Sequence, residues 1–324
     1  MDDAGDPGRA SRARWRTVAV VLGWLALAAL LVPVVLRLTG FERGPFAYVV
    51  PLVPWVVLGA LVPAVLAALG RAWVLLGASV ATAALCAAWV APLFVATPAS
   101  GDVELTVASV NLRAGAGDPE AVVRLVRESG ADLLSVQELT PEAAAALEET
   151  GLGELLPYSA VLADAIWAGT GLWSAHPIDA WEGLDGYTFR QVRAIVELPS
   201  GPVTVLALHP AAPQLLVHRA WSAETAALVD VLDGVDGLVI AAGDLNTSRD
   251  HAVFRDLESR GFVDAADEAG AGLVPTFPQD RTPPPLVAID HVVTRDLDLV
   301  ATSLATVVVQ GSDHRALVVG YSAP

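Results

Sequence analysis

Three long apolar runs without a single charge crowd the first third of this chain. Thr17–Leu36 is twenty residues, Phe46–Gly70 twenty-five and Ala72–Gly101 thirty. A helix needs about 20 apolar residues to cross roughly 30 Å of hydrocarbon, so each run is long enough to span a bilayer. Pro33, Pro51, Pro54 and Pro63 would break soluble helices. In lipid, neighbouring segments can satisfy the freed carbonyls. Trp24, Trp55, Trp73 and Trp89 suit interfacial depths or helix contacts. The Arg-rich lead before the first run (Arg9, Arg12, Arg14 and Arg16) also fits a cleaved signal peptide. The run is too long for one, no small-x-small cleavage site precedes polar sequence, and two more runs follow at once. The expected organisation is a segment 1–16, an anchor of three transmembrane helices over 17–101, and a domain over 102–324.

Orientation follows from Arg. Four lie before the first span and Arg71 lies between the second and third, against Arg37 and Arg43 between the first and second. Five against two places the N-terminus in the cytoplasm and, after three crossings, residues 102–324 outside a multi-pass cell-membrane anchor. Residues 1–100 carry seven Arg and four acids, a net +3, whereas 101–324 carry twelve Arg and thirty-two acids, a net −20. The single cysteine, Cys86, excludes a disulfide framework and reads as a packing residue of the third span.

From Asp102 the pattern changes to short apolar runs, helical stretches and turns. Strands are expected at Val103–Val110, Leu133–Val136, Tyr158–Leu162, Ile166–Ser174, Val192–Leu198, Val203–Leu208, Leu238–Ala241, Leu286–Val293, Ala301–Val309 and Ala316–Tyr321. Helices are expected from Asp118 with Pro119 in the first turn, at Pro141–Glu149 behind Thr140, at about Pro213–Leu232 and at Asp250–Ser259. Many strands and few helices give an α+β domain, with sheets packed face to face and helices outside.

The apolar runs end on residues that can bind metal or move protons. VASV stops at Asn111, LLSVQ at Glu138, VLAL at His209 and LVIAAG at Asp244, followed by Asn246. LVAI carries Asp290 and His291, and Gly311-Ser312-Asp313-His314 precedes the last strand. Gathered at one sheet edge, these groups suit a hard divalent cation held by oxygen, with acid–base groups beside it.

The stretches VASVNLRAG, DLLSVQELTPE, GLWSAHPI, VLALHP, IAAGDLNTSRDHAVFRDL, TFP, AIDHVV and GSDHRALVV, in that order, resemble the endonuclease/exonuclease/phosphatase superfamily, and the anchor resembles that of its membrane-bound bacterial members. The resemblance covers nearly all of 103–322. It implies the DNase I-like four-layer α/β/β/α sandwich and an Mg²⁺-dependent hydrolase of phosphate ester bonds, with Mn²⁺ as the alternative ion. It implies that Asn111 and Glu138 hold the metal with Asp313 nearby. It further implies that Asp244 orients or deprotonates water and that Asn246 binds a phosphate oxygen. His314 would stabilise developing charge or act as acid or base, Asp290 would fix its tautomer, and His209 would protonate or stabilise the leaving group. His291 reads as structural. His176, His218 and His251 read as surface or packing residues, and Thr276 as a loop residue or a neighbour of the site. Many relatives carry Ser-Arg where this chain has Ser174-Ala175; this chain has either lost that Arg or replaced it, with Arg190 and Arg193 as the candidates.

The net −20 opposes nucleic-acid binding, which rests largely on basic contacts, and no basic stripe with interleaved aromatics is present. A tethered domain meets lipid head groups at high effective concentration. The expected substrate is therefore a phosphate ester or pyrophosphate on a lipid or envelope precursor, or another phosphate-containing small molecule. An outward-facing nuclease and an idle binding module are the competing readings.

Overall fold

The computed structural model describes residues 7–214 and 219–324. Apart from Arg43–Pro45, the chain divides into a compact unit ending at Ala91 and another beginning at Pro92.

In the first unit α1 (Pro7–Thr39) already includes the Arg-rich lead. The second apolar run is not one continuous helix. Its prolines leave 3₁₀ turns at Gly44–Tyr48 and Val50–Trp55, followed by α2 (Val56–Gly59) and α3 (Leu61–Gly70). The third run forms α4 (Trp73–Val90) and a 3₁₀ turn ending at Phe94, earlier than the expected Gly101. Three segments, Ser11–Thr39, Val50–Gly70 and Trp73–Phe94, are long and apolar enough to cross a membrane. Their hydroxyls find partners within the helix: Ser79 donates to the Leu75 carbonyl at 2.8 Å and Thr82 to that of Ala78 at 2.9 Å. Val21, Leu25, Leu58, Leu61 and Val74 stay exposed, as lipid-facing side chains do.

The described residues of the second unit form twelve strands. They are β1 (Leu105–Asn111), β2 (Leu133–Gln137), β3 (Tyr158–Leu162), β4 (Thr170–Ser174), β5 (Ile178–Gly183), β6 (Val192–Leu198), β7 (Gly201–Leu208), β8 (Val239–Asp244), β9 (Val263–Asp264), β10 (Asp290–Arg295), β11 (Val300–Val308) and β12 (Arg315–Ser322). Its helices are α5 (Pro119–Ser129), α6 (Pro141–Glu149), α7 (Leu152–Leu155), α8 (Arg219–Asp233), α9 (Ala252–Ser259) and α10 (Ala265–Glu268). The expected start of α8 at Pro213 is not seen: Pro213 and Gln214 are not helical, and 215–218, with His218, lie outside the described residues. Asp118 caps α5 by accepting from Glu120 N at 3.0 Å, and Thr140 caps α6 by accepting from Ala143 N at 3.1 Å.

The strands form two six-stranded sheets, ordered β11-β12-β1-β2-β4-β3 and β5-β6-β7-β8-β10-β9. Val107, Leu133 and Leu172 of the first sheet share one buried core with Val205, Ile240 and Val292 of the second. The outer face of the first sheet packs on Val122, Val126 and Leu147 of α5 and α6, and that of the second on Leu228, Phe254 and Leu257 of α8 and α9. The result is the expected four-layer α/β/β/α sandwich.

Candidate active site

Two parallel pairs set the site. β1 runs parallel to β2, and β7 to β8, so their C-terminal ends meet one edge of the sandwich. The antiparallel partners β12 and β10 begin at that edge, and the β8–β10 register sets Asp290 directly opposite Asp244. Asn111 ends β1, Glu138 follows β2, His209 follows β7 and His314 precedes β12. A face where strand ends converge is where open α/β sheets bind ligands.

The side chains close around Asp244, which is buried. Its Oδ1 accepts from Asn246 N at 2.9 Å and its Oδ2 from Asn111 Nδ2 at 3.1 Å. His209 Nε2 and His314 Nε2 stand 3.6 and 3.7 Å from the same Oδ2. Asn111 Nδ2 also donates to Glu138 Oε1 at 3.2 Å, and Ala114 N donates to Glu138 Oε2 at 2.6 Å. His314 Nδ1 meets Asp290 Oδ2 at 2.8 Å. Asn246 Nδ2 donates to the Pro210 carbonyl at 3.0 Å. Glu138 and Asn246 have φ of +54° and +49°, a left-handed conformation that the surrounding bonds must sustain. Gly243 is required before Asp244, since a Cβ there would strike the Leu208 carbonyl.

Among the described residues, the one group of three ligating side chains whose donor atoms lie within 4.8 Å of one another is Asp244, Asp290 and His314. Glu138 joins it through Asn111. Asp313 is not in that group: its carboxylate lies 3.9 Å from Arg113 Nε and helps to raise the His314 pKa, and its carbonyl accepts from Gln279 N at 2.6 Å.

Electrostatics splits the two histidines. Burial and the neighbouring His314 push the His209 pKa down to about 3, against the pull of Asp290. Burial also disfavours the charged form of His314, but the Asp290 and Asp244 carboxylates outweigh it and lift that pKa to about 10. Burial raises Asp244 to about 7; His314 opposes the shift, and Asp290 and Glu138 add to it. At neutral pH His314 is the cation and His209 is neutral.

Four contributors escape a strand-end reading. Gln191, fully buried, accepts from His209 N at 2.6 Å and donates to the His209 carbonyl at 2.5 Å and that of Phe189 at 3.1 Å. Phe189 stacks on the His209 ring with centroids 4.3 Å apart, and Phe277 lies 4.8 Å from that of His314. Ser312 Oγ donates to the Asn111 carbonyl at 2.7 Å and accepts from His314 N at 3.0 Å. The one available signal was a polar residue at the mouth of an apolar strand, as Gln191 is before Val192.

Other residues stay outside the cluster. His291 is buried between Asp264 Oδ2 at 2.7 Å and the Thr247 carbonyl at 3.0 Å, a structural placement. His251 Nδ1 accepts from Ser248 N at 2.9 Å, and His176 Nε2 lies 3.6 Å from Asp132. Thr276 is buried, and its carbonyl accepts from Arg315 N at 2.9 Å. Arg190 pairs with Asp164 at 3.5 Å and Arg193 with Glu182 at 3.6 Å.

A family model described as Endonuclease/Exonuclease/phosphatase family matches residues 108–314. The chain belongs to this family. Its members are metal-dependent hydrolases of phosphate esters, and the chain is an enzyme of that class. Among solved structures, an endonuclease/exonuclease/phosphatase from Beutenbergia cavernae DSM 12333 is 18% identical, with a TM-score of 0.56 over 68% of this chain and 72% of that one. A humanized D. rerio TDP2 is 16% identical, with a TM-score of 0.54 over 68% and 99%. The 3′ phosphatase NExo from Neisseria, bound to a product DNA hairpin, is 16% identical, with a TM-score of 0.52 over 66% and 98%. At these identities the likeness is one of fold. A search of curated proteins gave no match.

Proposed function

We propose that this family member is a membrane-anchored, divalent-metal-dependent phosphoesterase that hydrolyses a phosphate ester or pyrophosphate on a lipid or envelope precursor. On this reading the N-terminus lies in the cytoplasm, the catalytic domain over 102–324 lies outside, and Mg²⁺ is the ion, with Mn²⁺ as substitute. The observation that carries the reading is Asp244 Oδ2, met by the Asn111 amide at 3.1 Å and approached by two imidazoles at 3.6 and 3.7 Å.

The residues present fit a hard cation. Asp244 and Asp290 are buried, Asp290 and Glu138 raise the cost of ionising Asp244, and Asn111 stands between Glu138 and Asp244 with its amide nitrogen toward both. Such an oxygen-rich anionic set favours Mg²⁺ over softer metals. Glu138 and Asn111 would hold the ion, with Asp313 near it. When bound, the ion supplies positive charge that offsets the negative charge developing on phosphate oxygens.

The other steps belong to the chain. Asp244, held by Asn246 N and Asn111, orients a water and takes its proton. Asn246 presents its amide to a phosphate oxygen. His314, kept charged by Asp290, stabilises the negative charge on the oxygens of the pentacoordinate phosphorus. His209, neutral at pH 7, serves the leaving oxygen as a hydrogen-bond donor. The lipid reading rests on the three apolar helices and the acidic surface.

The full-length chain, reconstituted in vesicles, is to be assayed with Mg²⁺ and with chelator on a lipid phosphate, plasmid DNA and a generic phosphodiester. Lipid turnover that requires metal is the expected result, and Asp244→Asn should remove it by several orders of magnitude with the fold intact. Preferential plasmid cleavage would replace the lipid reading with a nuclease. A folded protein inert on all three would mark a binding module.

A further inference from the structure

The loop between β3 and β4, residues 163–169, holds Ile166 and Trp167 at 68% and 52% exposure. Its base is fastened to both flanks of the site. Leu139, next to Glu138, donates its N–H to the Gly169 carbonyl at 3.0 Å and accepts from Asp164 N at 3.0 Å. Arg190, between Phe189 and Gln191, donates its N–H to the Ala168 carbonyl at 2.7 Å. Asp164 Oδ1 accepts from Ile166 N at 3.0 Å, which closes the turn. Gly169 allows the close approach, since a Cβ there would collide with the Leu139 carbonyl. At the tip Trp167 has φ of +63°, a left-handed conformation that is a clear outlier for a bulky residue.

An ordered turn that keeps an isoleucine and a tryptophan in water on a strained backbone gains nothing for folding. Fixed apolar groups beside a pocket are preorganised for binding. We propose that this tip docks on a lipid surface, seating Ile166 and Trp167 in the interfacial layer while the phosphate head group enters beside Asp244. The proposal rests on the lipid reading above and extends it to a named surface. Tryptophan favours this layer, where its ring is apolar and its N–H stays wet. Two side chains alone would bind a bilayer weakly. In a chain whose own helices are long enough to span one, docking becomes intramolecular and two suffice. The domain's net charge of −20 argues against a nucleic acid as the occupant.

The test uses the full-length chain in phosphatidylcholine vesicles carrying an isoprenoid diphosphate, with bis(p-nitrophenyl) phosphate as the soluble substrate. Ile166→Ser combined with Trp167→Ser should lower the ratio of lipid to soluble kcat/KM roughly ten-fold. In a Cys86→Ala background, a nitroxide at Trp167→Cys should collide more with oxygen than with a water-soluble nickel chelate. An unchanged ratio, or a nitroxide open to nickel, overturns the proposal. So does a selective loss on a single-stranded oligonucleotide. If the wild type cleaves the soluble diester and no lipid, the lipid phosphoesterase reading fails while the nitroxide still decides whether the tip docks.

Discussion

Replacing Gln191 with Leu should unseat His209 without touching its ring. The amide side chain forms a two-way clamp on the His209 backbone at 2.6 and 2.5 Å, and a third bond at 3.1 Å fixes the Phe189 carbonyl. Leucine has similar bulk but no polar atoms. It leaves the His209 N–H and C=O, in a fully buried setting, without these partners. Each stranded buried group costs about 1–3 kcal/mol, so the variant should lose about 2–6 kcal/mol. Against the ordinary 5–15 kcal/mol of a domain, roughly, the protein should still fold. Because Phe189 stacks on the ring it helps position, kcat should fall more than KM changes. Gln191→Glu separates clamp from packing. Its carboxylate keeps the bond from His209 N but faces two carbonyls, so burial raises its pKa and the folded state prefers it protonated. That variant should approach wild-type stability at low pH and lose it as pH rises. Thermal unfolding of the detergent-solubilised full chain, run at several pH values beside turnover, reads both effects. A leucine variant with wild-type melting and wild-type kcat would refute the clamp.

Two further outcomes follow from the site. His314 has its folded pKa raised to about 10 from 6.5, so in metal-free protein its pairing contributes stability that is complete below about pH 6.5 and disappears as pH climbs toward 10. Asp290→Asn should flatten that decline in pH-dependent melting and should cut turnover; a variant that keeps the wild-type slope would mean the pair does not set it. Glu138→Gln should weaken Mg²⁺ activation, raising the metal concentration for half-maximal rate by at least about ten-fold, and a titration with an unchanged midpoint would remove Glu138 from the metal site.

The sandwich was legible because its central strands are buried on both faces and read as unbroken apolar runs. β5 was not. Its sequence IDAWEG forms an exposed edge, with no alternation to mark it, and hydrogen bonds to β6 hold it in place. Ile166 and Trp167 misled in the opposite sense. They read as the start of a strand, yet β4 begins only at Thr170, and the apolar pair lies in a turn. A local rule that fails where no packing explains the failure marks a place where function is the better explanation, which is why that turn carries the docking proposal.

The site shows the same division. Each polar residue that ends a strand could be read locally, because a strand terminus is a local event. Gln191 could not, since it meets His209 only when β6 pairs antiparallel to β7. Nor could the difference between the two imidazoles, which look alike in sequence as histidines beside a strand end. His314 has a carboxylate at 2.8 Å from Nδ1. His209 has a stacked phenyl ring, and its buried Nδ1 has no hydrogen-bond partner among the described residues. One is therefore charged and the other neutral at the same pH, as pairs of titrating groups are assigned opposite tasks by their surroundings. A charged His209 would place two imidazolium groups against one carboxylate oxygen. Keeping it neutral leaves room beside Asp244 for the positive charge that phosphate ester hydrolysis needs from outside the chain.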